Sequence, residues 1–269
     1  MGSEVTSFFS WGYSMNGLFD LTGKVVLFTG GAGGIGRIVA PGMAQFGADV
    51  IIADPQTDQS EKVVDKIRAL GRKALHIPVD VSQEQSVAKM VKRGLEVFPR
   101  IDILVNAAVF LIREPAESFP IDQWQKAMNV GIRGTFLCSQ AAGRLMIKQG
   151  GGRIINFSSV RGRYGLPEGY AAYCSSKGAI DTLTRTLACE WAKYNILVNA
   201  VGPTVVETEV NREALSSNSE WMRMMKARIP LGRWATPENI LGPIVFLASK
   251  AADFITGQII YIDGGVTAW

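Results

Sequence analysis

A chain of 269 residues that is 47% hydrophobic and 19% charged has the length for one large domain, and far too much apolar content for a disordered chain. Its 28 basic and 24 acidic residues leave a net charge of +4 with no Lys/Arg block, which makes no case for nucleic acid or a membrane surface as partner. A single histidine, His76, and three cysteines without a CxxC pair argue against a multi-histidine metal centre, a zinc site and a disulfide framework, so no metal is expected.

No apolar run approaches the ~18 residues of a membrane span. The first basic residue is Lys24, so the start lacks the charge of a signal peptide or presequence, and a cytoplasmic protein is expected. Residues 1–19 are rich in Phe, Trp, Tyr, Ser and Gly and read as a poorly ordered extension ahead of one domain spanning 20–269. From there, short aliphatic runs alternate with amphipathic stretches. Strands are expected at Val25–Thr29, Asp49–Ala53, Ala74–Val79, Ile103–Asn106, Arg153–Ser158, Leu197–Val201 and Gln258–Ile262. Helices are expected at Ile35–Phe46, Ser60–Ala69, Gln83–Phe98, Ile121–Lys148, Tyr170–Tyr194 and Pro237–Ala248. This alternation predicts an α/β fold: one Rossmann-type domain, a doubly wound, mostly parallel seven-stranded sheet with helices on both faces. In such a sheet the ligand lies beyond the carboxyl ends of the strands.

The first strand runs into Thr29-Gly30-Gly31-Ala32-Gly33-Gly34-Ile35-Gly36 and then a helix. Glycines there permit a tight turn and let backbone amides approach a pyrophosphate, so the segment reads as a dinucleotide-binding loop. Pro41 is a discord within the following helix and predicts a kink. The second strand ends at Asp54, 18 residues after Gly36, where a carboxylate can accept both adenosine ribose hydroxyls; the plainer reading is a turn at Asp54-Pro55. A 2′-phosphate would face that carboxylate, so NAD is favoured over NADP, with Arg37 as the counter-argument. Asp80, after the third strand, either bonds an adenine amino group or caps the next helix. Asn106-Ala107-Ala108, after the fourth, lies along the adenosine side. Further on, Tyr173 and Lys177 stand at i and i+4 on one helix face, with Ser158-Ser159 upstream at a strand end. A neighbouring ammonium lowers a tyrosine toward the range of a useful acid or base.

Taken together, these pieces resemble the short-chain dehydrogenase/reductase family over residues 20–269. The matching segments are Thr29-Gly30-x-x-x-Gly34-Ile35-Gly36, Asp80-Val81, Asn106-Ala107, Met128-Asn129-Val130, Ile154-Ile155-Asn156-x-Ser158-Ser159, Tyr173-x-x-x-Lys177, Val198-Asn199-Ala200 and Asp263-Gly264-Gly265. The resemblance implies Tyr173 as acid/base and Ser159 holding the substrate oxygen. It implies Lys177 on the nicotinamide ribose, and Asn129 holding a water that relays protons from Lys177. It places Pro203, Val205 and Thr208 beside the nicotinamide, and Gly30, Gly34, Ile35, Gly36, Asp54, Asp80, Val81, Asn106 and Ala107 along the rest of the coenzyme. Three departures stand out: Ala108 and Thr204 replace glycine-containing family patterns, and Ser159 lies 14 residues before Tyr173, one more than is common, which keeps Ser158 as a rival.

The implied function is hydride transfer between NAD(H) and a secondary alcohol or ketone of a sugar, polyol or sugar acid. The alternatives are an NADPH-dependent 3-oxoacyl thioester reductase, which needs a basic residue that Gly33 and Asp54 do not offer, and a non-catalytic NAD-binding redox sensor. Arg113, Arg161 and Arg163, on loops flanking Ser159, are candidates for holding a substrate carboxylate or hydroxyls. Residues 205–235, with Trp221, Met222, Met224, Met225 and Trp234, read as a helical lid, and His76 as structural. By family analogy the two longest helices pair with symmetry mates in a homotetramer.

Overall fold

A computed structural model describes residues 17–167, 169–217 and 219–268, so most of the expected 1–19 extension lies outside the described residues. The strands are β1 (Val25–Thr29), β2 (Asp49–Ala53), β3 (Ala74–Ile77), β4 (Ile103–Asn106), β5 (Gly152–Phe157), β6 (Ile196–Pro203) and β7 (Ile259–Ile262). They form a wholly parallel sheet in the order β3-β2-β1-β4-β5-β6-β7. Every residue of β1 and β4 is buried, as continuous apolar runs covered on both faces require. Side chains alternate across the sheet, so Val26 and Phe28 enter one core and Val25 and Leu27 the other.

On the first face lie α1 (Gly36–Gln45), α2 (Thr57–Ala69) and α9 (Pro237–Ala248), which contribute Met43, Ile67 and Ile244 to its core. On the second lie α3 (Glu84–Val97), α5 (Gly134–Gln149) and α6 (Ala171–Trp191), with Met90, Met146 and Leu187. Strand order reverses between β1 and its neighbour β4, which opens a crevice above their carboxyl ends.

Several boundaries move. The third strand stops at Ile77 and the sixth runs on to Pro203. The helix expected over Ile121–Lys148 is two: α4 (Ile121–Met128) and α5, joined by a π-helical turn at Asn129–Arg133. The cause is tertiary. A Cβ on Gly131 would lie 2.1 Å from Ser176 Oγ, and one on Gly134 would lie 2.8 Å from Val81 Cγ2. The chain presses its backbone onto α6 and onto the Asp80-Val81 turn, and the extra residue in the turn accommodates both approaches. α1 runs through Pro41 as one α-helix. Residues 205–235 hold the short helices α7 (Arg212–Ser216) and α8 (Glu220–Ala227) and close on themselves through a parallel bridge between Val206 and Ala235. Buried Met225, Ile229 and Trp234 pack there with Leu166, Val205, Trp221, Met222 and Val266, so the Met/Trp stripe, apart from exposed Met224, forms a small core of its own.

Candidate active site

The glycine loop after β1 is shaped by what it excludes. Gly30 takes φ +71°, and a Cβ there would lie 2.8 Å from the Ala107 backbone; one on Gly36 would lie 2.5 Å from the Gly30 carbonyl oxygen. The crevice therefore receives backbone amides at the start of α1, where an anion is favoured. The Ala107-Ala108 backbone approaches the loop through the space that Gly30 leaves free. Thr208 stands over Gly34, where a Cβ would meet its side chain at 2.8 Å. Ile35 packs partly buried against the core of that face.

Asp54 follows β2 and is only 4% exposed. Its Oδ2 accepts the Ala32 N–H at 3.1 Å and its Oδ1 the Gln56 N–H at 2.9 Å, so the carboxylate is fixed against the glycine loop. Behind it, His76 Nε2 bonds the Asp54 carbonyl at 2.9 Å from a buried position. Arg37 is paired with Glu209 at 2.9 Å. Asp80 caps the turn into α3, taking the Ser82 N–H at 2.9 Å and its hydroxyl at 2.7 Å, and Val81 is buried beside Gly134. The Asn106 side chain turns inward, donating to Ser139 Oγ at 3.0 Å and Asn156 Oδ1 at 2.9 Å, so it presents backbone to the crevice. Amides over a helix start and a fixed carboxylate one strand away, with Arg37 held by Glu209, together fit an adenine dinucleotide.

The structure brings Ser159, Tyr173 and Lys177 together. Ser159 is extended and buried; its Oγ donates to the Pro203 carbonyl at 3.3 Å and accepts the Arg161 N–H at 3.1 Å, and its hydroxyl acts on the Tyr173 phenol. The Ser158 hydroxyl donates instead to the Ser159 carbonyl at 3.4 Å, and it favours the charged form of Asp181 on α6. The longer Ser-to-Tyr spacing therefore still delivers Ser159. Lys177, 4% exposed, donates to the Phe157 carbonyl, with Nζ 5.6 Å from the Tyr173 ring centroid. Burial pulls the lysine down to about 8, partly opposed by the Asp181 carboxylate one turn along α6. The expected lowering of Tyr173 is reversed. Burial pushes its phenol up, and the Ser159 hydroxyl and Arg161 charge only partly oppose this. Asn129 opens the π turn and accepts from Gln125 Nε2 at 2.9 Å, and that turn meets α6 at Ser176, next to Lys177. Val205 stands at the base of the 205–235 segment, its carbonyl bonded by the Ala235 N–H at 3.2 Å.

The three arginines part company. Arg113 is exposed and lies 4.7 Å over the Tyr170 ring and 5.6 Å from that of Trp221. Arg163 is exposed, 5.7 Å from the Tyr261 ring, on a cavity of about 320 Å³ whose wall includes Asp181 and Arg185 and none of Ser159, Tyr173 and Lys177. Arg161 alone is buried, at 7% exposure, in the turn that starts from Ser159. Asp181 was missed from sequence, although its i+4 spacing from Lys177 was available as a signal. Among the described residues no group of three or more His, Cys, Asp or Glu is placed to hold a metal, and no helix is long and apolar enough to cross a membrane.

Fold, glycine loop and Ser–Tyr–Lys cluster define a Rossmann-type nicotinamide oxidoreductase, and comparison with known proteins narrows the class. A family model described as enoyl-(acyl carrier protein) reductase matches residues 30–267. An NAD-dependent glycerol dehydrogenase of Listeria innocua is 40% identical over 249 residues, which is 93% of this chain and 96% of that protein. A short-chain type dehydrogenase/reductase from Mycobacterium marinum superposes with TM-score 0.90 at 37% identity, covering 95% of this chain and all of that one. A gluconate 5-dehydrogenase from Burkholderia cenocepacia, solved with NADP and tartrate, gives TM-score 0.88 at 36% identity over 94% of this chain and 98% of its own. The chain belongs to the short-chain dehydrogenase/reductase family, and it is an oxidoreductase acting on CH–OH groups.

Proposed function

We propose that the protein interconverts a secondary alcohol and a ketone on a small polyhydroxylated molecule (a sugar, polyol or sugar acid), with NAD(H) preferred over NADP(H). The observation that carries this reading is the grouping of Tyr173 with buried Ser159 and Lys177, beside a glycine loop whose facing carboxylate, Asp54, would repel a 2′-phosphate. The bound nicotinamide supplies or accepts the hydride. Ser159 holds the substrate oxygen, and Tyr173 gives that oxygen its proton in reduction or takes it in oxidation. Lys177 holds the nicotinamide ribose and keeps positive charge near the phenol, and Asn129 orders the water through which the proton reaches solvent. Gly30, Gly34, Ile35 and Gly36 receive the phosphates, and Asp54 the ribose hydroxyls. Asp80, Val81, Asn106 and Ala107 line the adenosine, while Pro203, Val205 and Thr208 line the nicotinamide, with 205–235 as the covering segment.

The relatives' names support the substrate class: one acts on glycerol and another on gluconate. Phe136 and Ile147, exposed three turns apart on α5, support a homotetramer built on the long helices. Three free cysteines accord with a reducing cytoplasm. The test is a panel of alditols, aldonates and their keto forms with each coenzyme, followed by the absorbance of the reduced nicotinamide. Turnover of a 3-oxoacyl thioester with NADPH and of nothing in the panel would replace the proposal. Tight NADH binding with no turnover at all would favour the sensor.

A further inference from the structure

Arg161 is buried, and no described residue gives it a counter-charge. It is the middle residue of the short 3-10 turn Val160–Gly162, with its backbone N–H fixed on Ser159 Oγ. Its guanidinium lies 5.0 Å over the Tyr164 ring, and Nη1 is buried with no hydrogen-bond partner. Among the described residues no carboxylate forms an ion pair with it. Asp263, the acid that shares the surroundings of the Tyr164 ring, gives its oxygens to the N–H groups of Gly265 at 3.0 Å and Thr267 at 2.8 Å. A buried guanidinium carries five donors and a charge that the interior opposes unless an anion meets it. No described residue supplies the anion, and the turn starts from the serine that holds the substrate oxygen, so the substrate is the group placed to supply it.

We propose that Arg161, rather than Arg113 or Arg163, receives a carboxylate of the substrate, and that the preferred substrate is an aldonate or keto-aldonate rather than its neutral alditol. This rests on the dehydrogenase reading above and narrows it. Arg113 and Arg163 are exposed and set against aromatic rings, so water already satisfies what the rings do not. Two-point binding, with the reacting oxygen at Ser159 and Tyr173 and the carboxylate at Arg161, fixes which hydroxyl carbon is presented for hydride transfer.

The experiment uses matched pairs that differ only at C1, D-gluconate against sorbitol and D-galactonate against galactitol. Each is assayed with wild type, Arg161→Gln and Arg161→Lys. Wild type favours the aldonate in kcat/KM by about ten- to a hundredfold, the range of a charge-assisted hydrogen bond. In Arg161→Gln the aldonate-to-alditol ratio falls to near one, and Arg161→Lys recovers part of it, since a point charge does not reproduce a bidentate fork. Binding is read separately from turnover: D-gluconate raises the melting temperature of the NADH-loaded wild type and not of NADH-loaded Arg161→Gln. Arg161→Met melts at or above wild type without ligand, which separates a site residue from a structural one. A ratio that Arg161→Gln leaves unchanged overturns the assignment. If both substrates fall together and the pH profile moves, Arg161 serves Tyr173 instead. If no alditol or aldonate turns over, the dehydrogenase reading falls, and Arg161-dependent stabilisation by D-gluconate still decides the carboxylate site.

Discussion

Two regions of the molecule treat buried charge differently. Around β1, the buried acids are answered by the fold. Asp54 takes two backbone amides, and Asp102 takes the Val25 N–H at 3.0 Å together with Arg100 at 2.7 Å and Lys24 at 3.6 Å. On the β5–α6 side, among the described residues, Arg161 Nη1 and Asp181 Oδ1 have no partner, and Lys177 has a carbonyl but no carboxylate within ion-pair distance. A satisfied group is scaffold: it sets where the coenzyme lies. An unsatisfied group in a dry site is poised to act on what enters, and its desolvation is sustained by the stability of the rest of the domain. The difference separates placement from chemistry, and it can be broken from either side.

The largest expected effect lies in the chemical half. Tyr173→Phe keeps the ring and loses only the hydroxyl on which Ser159 acts. Turnover should drop by about 10²–10⁴-fold, the usual worth of a positioned acid/base. NADH binding, followed by fluorescence titration, should change by no more than a few-fold, because the coenzyme half is untouched. Residual activity near wild type would mean that proton transfer runs through another group.

A smaller effect is expected in the coenzyme half. Asp54→Asn removes the charge while keeping the shape and one acceptor. Wild type should bind NADH more tightly than NADPH, and the variant should narrow that ratio by about ten- to a hundredfold, the worth of hydrogen bonds to a charged acceptor. Titration of both reduced coenzymes decides it. Equal affinities in wild type would return Asp54 to a turn-forming role.

The same contrast explains what was legible in the sequence. Strands covered on both faces appear as unbroken aliphatic runs, and β1, β2 and β4 were placed to the residue. The grouping of Ser159, Tyr173 and Lys177 was legible through the family resemblance, which their order and spacing carry. The break at Asn129–Arg133 was not, because periodicity continues across it and the cause lies on α6 at Ser176. Nor could the arginines be separated. Arg161 and Arg163 are two residues apart, and only the 3-10 turn after Ser159 buries one and leaves the other exposed. Nor is Asp181 legible, since what covers it is the turn at Gly162, where a Cβ would lie 2.8 Å from its Oδ2.

Stability should follow the same division. Asp102→Ala strips the Val25 N–H of its acceptor and frees Arg100 and Lys24, whose charges reach water. A loss of about 1–3 kcal/mol is expected in urea unfolding, mainly from the orphaned amide. The Arg161→Met change should cost nothing comparable. Equal losses at the two sites would erase the distinction between satisfied and unsatisfied charge.

The smallest effect concerns Asp181. Burial holds Lys177 at about 8, against 10.5 when free, so between those values the folded chain binds fewer protons than the unfolded one. Stability therefore rises with pH across that window, and below it the penalty for the buried ammonium is constant. The Asp181 carboxylate opposes the penalty by favouring the charged lysine. Its own acidity is weakened by burial, against the Ser158 hydroxyl and the charges of Arg185 and Lys177. Asp181→Asn removes the one negative charge acting on Lys177 and leaves a side chain of the same shape. Lys177 should then fall further below 8, and the neutral amine should appear at lower pH. In ketone reduction, which needs a protonated Tyr173 beside a charged Lys177, the alkaline limb of kcat/KM should move down by up to about one pH unit, or ~1.4 kcal/mol. A lower rate with the limb unmoved would make Asp181 only a packing partner of Ser158, and the charge balance of the chemical half would then rest on Arg161 and the incoming substrate.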